Sequence, residues 1–246
     1  MSQADMNTNL LTLEGVHTHI GAYHILHGVD LVVPRGELTM LLGRNGAGKT
    51  TTLRTIMGLW QASQGRITFG GEDITQLNTP AIAQKNIAYV PENMGIFSDL
   101  TVKENMLLAA RSAKHAAQMD EARLQWIFKL FPAVEKFWNH PAGKLSGGQK
   151  QMLAVSRAIV EPRDLLIIDE PSKGLAPAII QNMIDAFQQL KASGVTILLV
   201  EQNIHFAQQL GDTVAVMDNG RVVHACRMQA LAEDTALQQS LLGLAL

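Results

Sequence analysis

Eight consecutive residues, Gly43-Arg44-Asn45-Gly46-Ala47-Gly48-Lys49-Thr50, restrict what this 246-residue chain can become more than any other stretch. They satisfy the pattern G-x-x-x-x-G-K-[ST]. An apolar run at 37–42 that reads as a strand comes before them, and a run of helical character at 51–58 follows and stops at Gly58. Strand, tight loop and helix start, in that order, make a cradle for a phosphate. Gly46 and Gly48 let the backbone approach an anion and turn N–H groups inward, and the positive end of the helix dipole falls at the same place. Lys49 adds a point charge for β- and γ-phosphates, and the Thr50 hydroxyl is a ligand of the kind Mg2+ accepts.

The remaining pattern agrees with an α/β chain. Short apolar runs at 10–16, 29–33, 65–69, 87–90, 165–169 and 196–200 read as strands. Runs at 214–217 and 221–225 flank Asp218-Asn219-Gly220, a strong hairpin signal. Helices are expected at 147–160, at 177–191 and from about 203. Strands alternating with helices imply a mainly parallel sheet covered on both faces. Between 101 and 139 the pattern changes. Leu107, Leu108, Leu124, Ile127, Phe128 and Phe131 recur at helical spacing with no strand between them, which marks a helical insertion. Trp126, Phe128 and Phe131 are expected in its small core, and Leu237, Leu241 and Leu244 in a short amphipathic helix packed on the domain.

Composition excludes several classes. Charged residues are 17% of the chain, below the roughly 25% of ordinary domains, and 47% are hydrophobic, so the chain is not disordered. A net charge of −2 gives no electrostatic reason to bind nucleic acid. The polar opening residues do not read as a secretory signal, and no apolar run approaches the ~20 residues that span a bilayer. The single cysteine, Cys226, permits no internal disulfide framework and fits a reducing compartment as a packed strand thiol. His17, His19, His24 and His27 cluster in sequence without the spacing of a structural metal site.

Two further stretches carry chemistry. Leu165-Leu166-Ile167-Ile168-Asp169 is an apolar strand ending in an acid, and Glu170 follows at once. Asp169 is placed to hold Mg2+ at the sheet's carboxyl edge, and Glu170 to act as general base on an attacking water. Leu145-Ser146-Gly147-Gly148-Gln149 has the chemistry of a second phosphate cradle; alone, it would also pass for a glycine-rich helix cap.

Phosphate loop, helical insertion, L-S-G-G-Q and acidic strand, in that order, resemble the ATP-binding cassette (ABC) family over nearly the whole chain. The resemblance implies a P-loop NTPase fold of the ABC nucleotide-binding type, with an antiparallel β subdomain and an inserted helical subdomain. It divides the chain into an ATP-binding core at 1–92 and 141–246 and a helical subdomain at 93–140. In that family two such domains sandwich two ATP molecules. Carried over, Gly43, Arg44, Asn45, Gly46, Ala47, Gly48, Lys49, Thr50 and Thr51 would bind ATP. Leu145, Ser146, Gly147, Gly148 and Gln149 would serve the partner's ATP, and Thr50, Asp169 and Glu92 would serve Mg2+.

Three positions depart from the usual pattern. The loop after Tyr89-Val90-Pro91 normally carries Gln and here has Glu92; the switch position normally carries His and here has Gln202; and Ser172-Lys173-Gly174-Leu175-Ala176-Pro177 replaces the usual S-x-L-D ending. Together with Leu100-Thr101-Val102-Lys103-Glu104-Asn105, these look like the LivF-type ATPase subunits of branched-chain amino acid importers. The subgroup implies a second ABC ATPase subunit, two transmembrane permease subunits, indirect contact with a periplasmic substrate-binding protein, and no nucleic acid. It places the chain peripherally on the cytoplasmic side of the inner membrane. Urea, amides or other amino acids are the alternative cargoes, and a non-transport ABC ATPase is the alternative from another class.

Within this scheme Glu170 is the base. Glu92 reaches Mg2+ or the water, and Gln202 donates a hydrogen bond to the γ-phosphate without supplying an imidazolium. His205 is a second choice for that task, against a plain surface position. Ile20 stands where the family places an adenine-stacking aromatic. Tyr23 either takes over the stacking or is a buried strand-end tyrosine. The loop from Glu92 to Leu100, with Met94, Ile96 and Phe97, would receive a permease helix.

Overall fold

The computed structural model describes residues 8–110 and 119–242. The opening seven residues, part of the expected helical insertion and Leu244 lie outside the described residues. Two strands, β1 (Asn9–Ile20) and β2 (Tyr23–Pro34), form a long hairpin. It is extended beyond the expected 10–16 and 29–33 because its histidine-rich ends pair as well, His17 with His27 and His19 with His24. With β4 (Ala62–Phe69) and the short β5 (Glu72–Asp73) they make an antiparallel sheet of order β2-β1-β4-β5.

The second sheet has six strands in the order β10-β9-β3-β8-β7-β6. Its members are β3 (Leu38–Gly43), β6 (Ile87–Val90), β7 (Leu165–Asp169), β8 (Thr196–Glu201), β9 (Thr213–Asp218) and β10 (Arg221–Arg227). All neighbours are parallel except β10, which returns antiparallel through the Asp218-Asn219-Gly220 turn. Strand and helix alternation alone implied one mainly parallel sheet. The chain builds two, because consecutive strands at its start are joined by turns too short for a helical crossover.

Every residue of β3, β7 and β8 is buried, and each strand splits its side chains between two cores. Met40, Leu166 and Ile197 join one; Leu41, Ile167 and Leu198 join the other. This is the period of two that a strand covered on both faces must show. The first core contains the helices α3 (Val102–Ala109), α4 (Glu121–Leu130), α5 (Pro132–Lys136), α6 (Gly147–Ala158), α7 (Pro177–Ala192) and α8 (Ile204–Leu210). The second is filled by the antiparallel sheet, through Leu11, Val29 and Ile67, and by α1 (Lys49–Ile56), through Leu53 and Ile56. The parallel sheet is therefore the middle of three layers.

Helix starts follow local chemistry. Thr101 and Glu104 form a capping box on α3, and Ser146 and Gln149 form another on α6. Asp120 and Asn203 accept from backbone N–H groups at the starts of α4 and α8. Two helices were not expected from the sequence: α2 (Thr79–Gln84), capped by Asn78, and the short α9 (Met228–Glu233). Leu237 and Leu241 of α10 (Thr235–Leu242) pack against the first core, as expected. Leu108 is not in the core: it is exposed, and Val102 and Met106 face inward on α3 instead. Phe128 and Phe131 are buried, and Trp126 is half-buried under the Arg123 guanidinium, 4.3 Å from the ring centroid. No helix among the described residues is long and apolar enough to cross a membrane.

Asn105, fully buried on α3, ties the loop before that helix to the core. Its Oδ1 accepts from the Phe97 N–H at 3.0 Å, and its Nδ2 donates to the carbonyls of Phe97 and Thr101, both at 3.0 Å. Asn105→Leu keeps the volume and leaves these backbone groups unpaired. Urea denaturation of that variant should show a loss of about 2–4 kcal/mol, whereas an unchanged midpoint would mean the loop holds itself.

Candidate functional site

The loop after β3 is built around two glycines with no substitute. Gly43 has φ +151, and a Cβ there would lie 2.4 Å from the Met217 carbonyl oxygen on the neighbouring strand. Gly48 caps α1 in the left-handed conformation, φ +105, wedged against Leu26 and Met217. Ala47 is buried and its carbonyl accepts from the Gly220 N–H at 2.9 Å, which anchors the loop to the β9–β10 turn. Arg44, Asn45 and Gly46 are exposed.

Lys49 is 4% exposed and donates to the Gly43 and Arg44 carbonyls at 2.8 and 3.2 Å. Its ammonium also stands 3.6 Å from Glu170 Oε1. Thr50 Oγ1 donates to Asp169 Oδ1 at 3.2 Å, while Asp169 Oδ2 is buried with no partner. Burial raises the Asp169 pKa to about 6, against the Thr50 hydrogen bond; the charges of Glu170 and Glu92 add to the rise. That is a carboxylate held in a place that calls for a cation.

Glu170 is treated differently. Its backbone is left-handed, φ +47, a strained conformation for a residue with a side chain, and its N–H donates to the Val200 carbonyl at 3.0 Å. Oε1 accepts from Gln202 Nε2 at 2.5 Å, and Oε2 lies 3.3 Å from Lys173 Nζ. Burial pushes its pKa up, but the Gln202 and Lys173 hydrogen bonds and the Lys49 and Lys173 charges outweigh it and hold the carboxyl below the usual glutamate range. Gln202 Nε2 also donates to Asn45 Oδ1 at 2.7 Å, so one amide joins the phosphate loop to Glu170. His205 is exposed on α8 and is not among the residues lining the cavity here.

That cavity has a volume of about 310 Å³ and is lined by Ile25, Asn45, Lys49, Thr50, Glu92 and Glu170, among others. Ile25 was not singled out from sequence; it faces the loop because β2 runs past α1, and nothing in an Ile signals that. Tyr23 is 76% exposed at the hairpin tip, which removes the buried reading. Ile20 pairs with it across the hairpin and is half-buried. Thr51 lines the cavity as well.

Two residues that the sequence left without a role complete the network. Glu201, 2% exposed, accepts from the Ser172, Gln202 and Asn203 N–H groups at 2.9, 3.0 and 3.3 Å. One buried carboxylate thereby joins the segment after Glu170 to the segment after β8. Lys173 Nζ meets Glu92 Oε1 at 2.5 Å. A strand ending in Glu, like the one ending in Asp169, was the available signal for Glu201.

Leu145, Ser146, Gly147, Gly148 and Gln149 do not line this cavity. Leu145 is buried, and Ser146 and Gly147 are exposed at the start of α6. Gly148 is a packing position: a Cβ there would lie 2.6 Å from Ile179 Cγ2 at the start of α7. A larger groove of about 770 Å³ runs beside Arg54, Trp60, Tyr89, Asn93, Met94 and Arg157, and Phe97 is half-exposed next to it, 5.2 Å from the Arg157 guanidinium. The histidines of the hairpin stack, His19 on His24 at 4.2 Å; among the described residues no group of three or more His, Cys, Asp or Glu is gathered as a metal site. Cys226 is a free, partly buried thiol in β10.

Comparison with known proteins agrees with this geometry. The ABC transporter family profile matches residues 26–173. The chain is 40% identical to the high-affinity branched-chain amino acid transport ATP-binding protein BraG of Pseudomonas aeruginosa, over 95% of this chain and 100% of that one. It is 33% identical to the probable branched-chain amino acid transport ATP-binding protein LivF of Archaeoglobus fulgidus, over 90% and 93% of the two chains. Among solved structures, an ATP-binding subunit of an ABC transporter superposes with a TM-score of 0.79 at 30% identity, covering 95% of this chain and 96% of the other. An ATP-binding cassette in its ADP conformation gives 0.79 at 25% identity, covering 96% and 99%. A phosphate loop beside a strand-end Asp-Glu pair, in a fold shared end to end with these proteins, has one reading: the chain belongs to the ABC transporter family, as an ATP-binding subunit whose ATPase activity is coupled to transport.

Proposed function

We propose that this subunit drives an importer of branched-chain amino acids, and the 40% identity to BraG over the whole of that protein carries the reading. The likeness to LivF supports it. In this reading the chain pairs with a second ABC ATPase subunit and docks on two permease subunits at the cytoplasmic side of the inner membrane. A periplasmic binding protein delivers the cargo to those permeases. Residues 1–92 and 141–246 form the ATP-binding core and 93–140 the helical subdomain that meets the permease. The groove beside Met94 and Phe97 is the docking surface, since it joins apolar lining to the Arg157 and Asn93 side chains.

The chemistry follows from the site. The N–H groups of Gly46, Ala47, Gly48 and Lys49 and the Lys49 ammonium hold the β- and γ-phosphates. Glu170, ionised at neutral pH, takes the proton of the water that attacks the γ-phosphorus; ADP and phosphate leave. Gln202 keeps that carboxylate turned toward the phosphate loop with one N–H and, on releasing Asn45, gives the other to the γ-phosphate, a weaker aid than a charged imidazole would give. Tyr23, with Ile20, offers the adenine an exposed face to stack on. The residues present fit Mg2+: the unpartnered Asp169 Oδ2 beside the Thr50 hydroxyl is a pair of hard oxygens, with Glu92 as the third donor. When bound, Mg2+ neutralises charge on the β- and γ-phosphate oxygens. Ser146 and Gly147, exposed at an N-terminus and outside the cavity, are free to serve the second subunit's ATP; Leu145, Gly148 and Gln149 set their position.

Affinity purification of the tagged chain from native membranes should bring down two permease subunits and a second ATPase, and deleting its gene should abolish high-affinity uptake of radiolabelled leucine. Permeases recovered with leucine uptake intact would shift the cargo; no membrane protein recovered would overturn the importer reading. Glu170→Gln should bind ATP with near wild-type affinity and turn over at least ~10²-fold more slowly in the assembled transporter. Turnover within a few-fold of wild type would take Glu170 out of the base role.

A further inference from the structure

Lys173 stands where the sequence assigned no function, and its ammonium touches two acids from separate elements. Glu92 follows β6 and Glu170 follows β7; Lys173 Nζ lies 2.5 Å from the first and 3.3 Å from the second. With Asp169, whose Oδ2 is buried without a partner, three carboxyl groups stand at one edge of the sheet. Lys49 stands beside Glu170, at 3.6 Å, and Lys173 is the cation paired with Glu92.

The contact is made to be exchanged. The Lys173 and Glu92 side chains are 55% and 45% exposed, and an ion pair in that setting contributes little to stability. A divalent cation held by Asp169 and Thr50 would sit on the same edge and attract the same carboxylate more strongly, since it carries twice the charge on a smaller radius. One carboxylate, two cations and one location make a competition. Glu170 is anchored separately, buried and bonded to Gln202.

We propose that Lys173 is a positioning residue that competes with the divalent cation for Glu92, holding that carboxylate against Glu170 until the metal displaces it. The proposal rests on Glu92 as a metal donor. Lys173 thereby raises the metal concentration at which the site fills.

Mn2+ titration of the full chain, followed by electron paramagnetic resonance with a non-hydrolysable ATP analogue present, reads this without turnover. Lys173→Gln should lower the Mn2+ half-saturation by at least about fivefold, and Lys173→Arg should restore it toward wild type. Glu92→Gln should weaken Mn2+ binding, and adding Lys173→Gln to it should change nothing further. Weakened binding in Glu92→Gln with unaltered binding in Lys173→Gln overturns the competition and leaves the Glu92 assignment standing. Unaltered binding in Glu92→Gln overturns that assignment and the competition with it. Equal tightening by Lys173→Gln with and without Glu92 would be a general charge effect and would overturn the proposal.

Discussion

Strands β3, β7 and β8 lie parallel and adjacent, buried on both faces, and their register decides where the reactive groups stand. Leu42 pairs with Glu201, and Asp169 pairs with Val200, so the three strands end almost level. A sheet packed above and below by two apolar cores has no freedom to slide, because a shift of one residue would exchange the side chains of the two cores. The loops that leave these strands therefore open onto the same edge. Glu170 donates its backbone N–H to Val200, Thr50 reaches Asp169, and Gln202 reaches both Asn45 and Glu170. The site follows from strand packing before any ligand enters.

At that edge, acids of similar chemistry have different surroundings. Asp169 is buried with one oxygen unpaired and is pushed toward its neutral form. Glu170 is buried but surrounded by an amide and two ammonium groups, and stays charged. Glu201 is buried against three backbone N–H groups, yet burial still raises its pKa. The first arrangement suits a cation, the second a proton acceptor, and the third a structural clasp. Partner count and partner type separate these roles where residue identity does not.

Much of this was legible in sequence. The phosphate loop, the Asp169-Glu170 strand end and the Ser146 capping motif could be read because each depends on neighbours within a few residues. The same holds for β7 and β8, whose apolar runs announce burial. What escaped depended on distant partners. The His17 and His24 ends of the first hairpin lacked an apolar alternation, yet they pair because the strands continue past it. Leu108 fits a helical stripe but faces outward, since the stripe through Val102 and Met106 meets the core. Lys173, Glu201 and Ile25 touch residues far away in the chain, and no local pattern marks such contacts.

The fit of Gly148 against Ile179 has a mechanical meaning. It leaves no room for a methyl group between the first turn of α6 and the first turn of α7. The chain entering α7 is the segment that carries Ser172 and Lys173 away from Glu170. A push on the first turn of α6 is thus passed across one tight contact to the stretch that leads back to Glu170. Two segments far apart in the chain are joined there by a strut, not by a hinge.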